Sequence, residues 1–209
     1  MGLQVAACLG NNFSPRALEK AQKADEIEDA FLGEAVELGF LRRVTSDHYV
    51  WGHDLIHQSA LDLIPSSKRD AFHLLIGSRL FMNTHRDELE KMIFYICDNM
   101  NRGVSLIEDS DQRYELAELN LRAGDKAISA SAFQSASKLL STGVSLLGPD
   151  CWSDHYELTM RLYNEGAYSP LLCYFFPSIL WDALTLTVFT IQQCLMFCTL
   201  LVTLLGSQN

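Results

Sequence analysis

No cluster of basic residues occurs anywhere in this 209-residue chain, and its Lys and Arg are outnumbered by Asp and Glu to give a formal net charge of −10. Affinity for a phosphate backbone rests on clustered cations, so nucleic acid is excluded as the expected partner. The doublets Arg42-Arg43 and Lys68-Arg69 are isolated and read as solvated surface. Paired cysteines are missing too. Cys8, Cys97, Cys151, Cys173, Cys194 and Cys198 form no C-x-x-C. That scatter excludes a disulfide framework and a zinc knuckle, and reads as reduced, buried thiols. The apolar start, residues 1–10, carries no basic leader pattern, so a cytoplasmic setting is expected. Phosphate-binding loops are absent: neither G-x-x-x-x-G-K-[ST] nor G-x-G-x-x-G is found, so no cofactor is expected. A nucleophile elbow G-x-S-x-G is absent as well, although Ser-His-Asp or Cys-His groups brought together from distant positions stay open.

Charge itself disappears late in the chain. After Glu165 the one charged side chain is Asp182, and residues 183–205 hold none, with Gln192 and Gln193 as the strong polar interruptions. At about 1.5 Å per residue such a stretch can cross the roughly 30 Å hydrocarbon core. Tyr174 and Trp181 would suit an interface, but no Lys or Arg follows the run. Three readings stand: a transmembrane helix over 183–205 that anchors the chain, a core helix against a partner, or a segment foreign to the rest.

What is present before that break is mostly helical signal. Ser14-Pro15 marks a helix start, with Ser14 as N-cap, and Asp25 with Glu28 forms a capping box for a second helix that ends at Gly39. Residues 40–44 and 48–52 flank the turn Thr45-Ser46-Asp47 as a β-hairpin. Helix, helix, hairpin is the order of a winged helix, and the acidic second helix speaks for a structural or protein-docking one over a DNA reader. From His53 the spacing predicts helices over 53–63, 66–81, 88–100, 109–123, 129–147 and 153–162. Ser66 and Ser153 are their expected caps, and the stripe of the 66–81 helix is read as Ala71, Leu74, Leu75, Gly77 and Leu80. Short helices joined by tight turns suggest an α-solenoid of the tetratricopeptide kind.

The sharpest candidate chemistry is His53-Asp54-Leu55-Ile56-His57, two histidines one helical turn apart as in a metal-binding H-E-x-x-H. Asp stands where the general-base Glu would be and no third ligand follows, so the metal-dependent hydrolase is the weak reading beside a structural one. His73 and His85 are candidates by residue type alone.

Longer runs carry a resemblance. Tyr49 to Ala60 with Leu63-Ile64-Pro65 resembles the block F-x-H-D-x-x-Q-Q-A-A-Y-x-L-I-P of large AAA-type, STAND-like ATPase sensor proteins, including multidomain kinases with a predicted-ATPase region. His73 to Leu80, Phe94 to Ile107, Tyr114 to Ala123 and Trp152 to Tyr163 are similar to later blocks of the same region. The resemblance implies a winged helix over 1–52, helical repeats over 53–165, and no nucleotide-binding domain within 1–209. It also implies that His53 occupies the place of a nucleotide-sensing histidine, with no phosphate loop here to serve. It stops near Ala167, where charge also ends, leaving 166–209 as a hydrophobic tail. The expected fold is therefore mainly α: a winged helix with a short hairpin, an α-solenoid and a hydrophobic C-terminal helix. The expected function is a non-enzymatic protein-interaction and regulatory module derived from a signalling ATPase, binding protein partners. The alternative is an accessory subunit acting in trans on a nucleotide-binding ATPase or kinase.

Overall fold

A computed structural model describes residues 1–22 and 29–174. The chain divides into two compact units, 1–169 and 170–209, and the core described below lies in the first. The expected cap at Asp25 and Glu28, the interface position Trp181, the cysteines Cys194 and Cys198, and the 183–205 stretch lie outside the described residues.

The first unit begins with α1 (Gly2–Cys8), β1 (Asn12–Phe13), α2 (Pro15–Ala21), α3 (Asp29–Glu37), β2 (Leu41–Thr45) and β3 (His48–Trp51). Ser14 caps α2 as expected, its Oγ accepting the Ala17 N–H at 3.1 Å, with Pro15 in the first turn where no N–H is missed. Asn12-Phe13, expected as lead-in to that helix, instead pairs with Tyr49-Val50 and makes the hairpin a three-stranded antiparallel sheet of order β1-β3-β2. Its buried side chains explain the pairing. Phe13 stacks on Tyr49 with centroids 6.1 Å apart, and Trp51 donates from Nε1 to the Gly10 carbonyl at 3.1 Å. Gly39 ends α3 at φ 74°, while Phe40 N–H reaches back to the Ala35 carbonyl and Gly39 N–H to that of Val36. This paired closure needs a left-handed residue, which glycine adopts without a Cβ clash.

Helices follow: α4 (Asp54–Asp62), α5 (Ser66–Met82), α6 (Leu89–Arg102), α7 (Ser110–Ser129), α8 (Phe133–Leu146), α9 (Cys151–Asp154) and α10 (Tyr156–Tyr174). α5 and α6 are antiparallel neighbours, with Gly77 against Ile96 and Met100, and Gly103 against Asp70 and Leu74. α7 and α8 repeat the arrangement: Arg113 donates to the carbonyls of Ser145 and Leu146, and Gly124 meets Leu140. Between the pairs, Asn101 and Asn120 exchange amide hydrogen bonds of 2.7 and 2.9 Å, which fixes the register of α6 on α7. The described residues are thus mainly helical with one small sheet.

Several sequence expectations need correction. Ser66 is the first helical residue of α5, preceded by Pro65, and makes no capping bond. The α5 stripe is met in part: Gly77 and Leu80 are buried and Leu74 packs against the core as expected, but Ala71 and Leu75 are exposed, and His73 and Ile76 are buried in their place. Its buried face is centred on a histidine, which apolar periodicity passes over. α7 runs to Ser129 and closes through Ser131, which holds a left-handed φ of 58° where glycine is usual, so α8 starts later than expected. Ser153 lies inside the short α9 instead of capping a helix, and α10 continues past Gly166 to Tyr174. The membrane assignment is withdrawn: among the described residues no helix is long and apolar enough to cross a membrane.

The α5–α6 contact generates a test. A Cβ on Gly77 would lie 2.8 Å from the Met100 backbone nitrogen and 3.2 Å from the Ile96 carbonyl oxygen. Backbone cannot step aside as a side chain can. The overpacking penalty of about 1–3 kcal/mol therefore exceeds the roughly 1 kcal/mol that alanine gains over glycine in a helix. Gly33 in α3 has nothing within 4 Å of the same position. Denaturant unfolding should show Gly77→Ala destabilised and Gly33→Ala stabilised by about 0.5–1 kcal/mol. Equal effects at the two glycines would contradict the packing described.

Candidate functional site

His53 and His57 are the first residues to place. His53 is the N-cap of α4, its Nδ1 accepting the Leu55 N–H at 3.1 Å. A ring nitrogen committed to a helix cap is unavailable to a metal through that atom. His57 stacks on Trp51 with centroids 5.1 Å apart, and its Nε2 donates to the Ala7 carbonyl at 2.9 Å. Together these bonds tie α4 to the sheet and to the end of α1. Among the described residues no group of three His, Cys, Asp or Glu side chains forms that could hold a metal ion. His85 is exposed between α5 and α6, where its carbonyl accepts the Glu88 N–H.

His73, singled out from the sequence by type alone, is one of the buried polar residues of the core. It projects from α5, is 3% exposed, and lies between Cys8 of α1 and Asn99 of α6. Asn99 donates its Nδ2 to the Tyr95 carbonyl at 2.9 Å, so its Oδ1 faces His73 Nδ1 at 2.8 Å. An acceptor there requires the proton on Nδ1, leaving the Nε2 lone pair toward the Cys8 sulfur at 3.9 Å. Thiol, imidazole and amide thus stand in the order that cysteine nucleophiles use for activation. Two physical facts keep them from that chemistry. Burial pushes the Cys8 thiol up to about 12, against which the nearby Arg102 and Arg69 charges pull only weakly. Burial also pushes the His73 imidazole below its ordinary 6.5, the Asn99 bond opposing this. Near neutral pH both groups are uncharged, neither thiolate nor imidazolium, and the trio acts as a polar clamp on three helices. The sequence does contain one signal for it. Asn99 continues the α6 stripe Met92, Ile93, Ile96, where an amide among buried apolar residues needs a partner.

A groove of about 1700 Å³ opens elsewhere, between α2, α5, α6 and the β2–β3 turn. None of Cys8, His73 or Asn99 lines it. Arg16, Lys20, Arg79 and Lys91 border it, with Glu19 and Asp47 as its carboxylates, exposed Met82 and half-buried Tyr95 as apolar surface, and Leu18, Leu32 and Met92 buried beneath. Arg16 and Lys20 are both drawn to Glu88, Lys20 Nζ standing 3.3 Å from its Oε2. Burial raises the Glu88 carboxyl, but the Lys20 hydrogen bond and the Arg16 charge outweigh it and hold the group below the usual range. Lys20 also donates to the Asn83 carbonyl, which fastens α2 to the end of α5.

Among curated proteins the chain is similar to hybrid signal transduction histidine kinase G of Dictyostelium discoideum. The two are 30% identical over 149 residues, an alignment covering 60% of this chain and 4% of the kinase. The chain therefore spans a small fraction of that protein's length. No known family matches the chain, and no solved structure does.

The clamp predicts acid sensitivity with a definite sign. The unfolded chain takes up a proton at His73 near 6.5, while the folded chain resists until the pH is lower. Stability from this group is complete above about 6.5 and declines as the pH falls toward the folded value, by at most about 1.4 kcal/mol per pH unit. The facing charges Asp98 and Asp70 soften the effect and Arg102 strengthens it. In His73→Asn an amide nitrogen can still donate to Asn99, but nothing titrates. Thermal unfolding followed by circular dichroism should lose more Tm between about pH 7.5 and 5.5 in the parent than in the variant. Parallel losses would rule the clamp out as the cause.

Proposed function

We propose that this chain is a regulatory, protein-binding module of a multidomain signalling protein, with no active site of its own. In this reading residues 1–52 are a winged helix that docks protein rather than DNA. Residues 53–165 are tetratricopeptide-like helical repeats, and the whole derives from the ATPase-type sensor proteins that its sequence blocks resemble. The order α1-β1-α2-α3-β2-β3 with strands β1-β3-β2 supports the first part. The antiparallel pairs α5/α6 and α7/α8 support the second. Similarity to a signal transduction kinase, of which the chain spans only 4%, supports a signalling setting and a supporting place within a larger architecture.

The observation that carries the proposal is the stacking of the antiparallel pairs α5/α6 and α7/α8, with a buried polar clamp joining α1, α5 and α6. Cys8, His73 and Cys97 are buried and their burial opposes the charged forms, which supports a unit that acts through its surface. Purified full-length chain with ATP and Mg²⁺ should release phosphate no faster than a protein-free blank, and cross-linking in cells that express it should give discrete larger adducts. Turnover above the blank, or a chain that never cross-links to another polypeptide, would defeat the proposal.

A further inference from the structure

We propose that the exposed aromatic stripe of α10, with Trp152 of α9 laid against it, docks an arginine-bearing segment of a protein partner. This rests on the protein-binding reading above and names the chemistry of what is bound.

Exposure of large aromatic rings is the first ground. On a helix of about 3.6 residues per turn, Tyr156, Met160 and Tyr163 share one face of α10. Thr159 and Leu162, on another face, are buried, so α10 makes its contact with the core through that side. Tyr156 and Tyr163 remain 43% and 44% exposed. Each lies against the half-buried Trp152 ring: Tyr163 stacks on it with centroids 5.5 Å apart, and Tyr156 tilts toward it at 6.1 Å. Rings that hold one another lose little freedom when a partner settles on them, and Trp and Tyr are the side chains that most often anchor interfaces.

Charge decides what the partner brings. Residues 150–165 carry the carboxylates of Asp150, Asp154, Glu157 and Glu165, and Arg161 is the one Lys or Arg among them. Arg161 is already taken by Asp125 of α7, at 2.7 Å. None of the four carboxylates has an ion-pair partner among the described residues. Aromatic faces attract cations through the ring quadrupole. A guanidinium both stacks flat on a ring and bonds a carboxylate with two parallel hydrogen bonds. Glu157 follows Tyr156 at the border of the stripe, and Asp154 stands two residues after Trp152, so ring and carboxylate are offered together. A second copy of this chain does not fit, because an isologous pair would set these carboxylates against their own copies. An acidic segment is repelled for the same reason.

The test uses the full-length chain and a fluorescein-labelled peptide of alternating Arg and Leu, beside its Gln-for-Arg counterpart, read by fluorescence anisotropy. The Arg peptide should bind, the Gln peptide at least about tenfold more weakly. Tyr156→Ala should weaken the Arg peptide by about tenfold, whereas Tyr156→Phe, which keeps the ring, should bind it as the parent does. Asp154→Asn with Glu157→Gln should cost about fivefold. Glu115→Gln with Glu118→Gln removes the same charge from exposed positions of α7 and should leave binding unchanged. Equal binding of the two peptides, no binding, or equal loss in the two charge-matched double variants would overturn the proposal. So would a parent chain that sediments as a dimer and becomes monomeric in Tyr156→Ala, which would mark the stripe as a contact between copies. Cross-linked adducts in cells separate this from the broader reading. If they persist unchanged in Tyr156→Ala, the stripe is not the contact and the chain still binds protein elsewhere; if the parent gives none, the broader reading has failed as well.

Discussion

A neutral imidazole held by three helices is the interaction on which the first unit depends. His73 on α5 meets Asn99 on α6 through Nδ1 and Cys8 on α1 through Nε2. Its position leaves each polar atom one acceptable partner. Asn99 Oδ1 demands the Nδ1 proton because its own Nδ2 is committed to the Tyr95 carbonyl. A buried polar group without its partner costs about 1–3 kcal/mol, so a shift of any one helix is penalised at several atoms together. The neighbouring contacts agree with that geometry. His57 on α4 bonds the Ala7 carbonyl one residue before Cys8, and Gly77 lets α6 approach α5 one turn beyond His73. Arg69 then holds the end of α4 by donating to the Leu61 and Ile64 carbonyls.

Much of this was legible locally and little of it at long range. Ser14-Pro15 and Gly39 could be read from the sequence because the physics of a cap involves neighbours a few residues away. The strand Asn12-Phe13 could not, since its partners Tyr49 and Val50 arrive from a distant hairpin. The phase of α5 was legible only in part, for a related reason. A histidine at the centre of its buried face carries no hydrophobic signal, while Leu75 and Ala71 do, although both are exposed. The α7–α8 boundary failed because Ser131 takes a backbone conformation that sequence rules assign to glycine or asparagine. At the candidate site the sequence supplied His53 and His57, which turned out to hold a helix end and an aromatic face. It missed the Cys8-His73-Asn99 set, whose members are scattered along the chain and meet only through α1, α5 and α6.

Polarity is distributed in two opposite ways, and the contrast bears on where function can sit. Inside, two polar pairs are matched: the imidazole with its amide, and Asn101 with Asn120 across α6 and α7. Matched buried pairs specify register and discourage sliding, as one-turn slippage would leave both amides unsatisfied. At the groove, by contrast, Arg79 and Lys91 make no ion pair among the described residues, with Glu19 and Asp47 in the same lining. Lys91 is exposed, and solvated cations contribute little to stability, whereas Arg79 lies in the last turn of α5, where a cation suits the helix dipole.

Stiffness and reactivity therefore separate. A thiol pushed up to about 12 and an imidazole pushed below 6.5 are both uncharged near neutral pH, where they make poor reactants but good spacers. Gly77 and Gly124 let the two helices of each pair approach closely, and the Asn101–Asn120 exchange fixes α6 against α7.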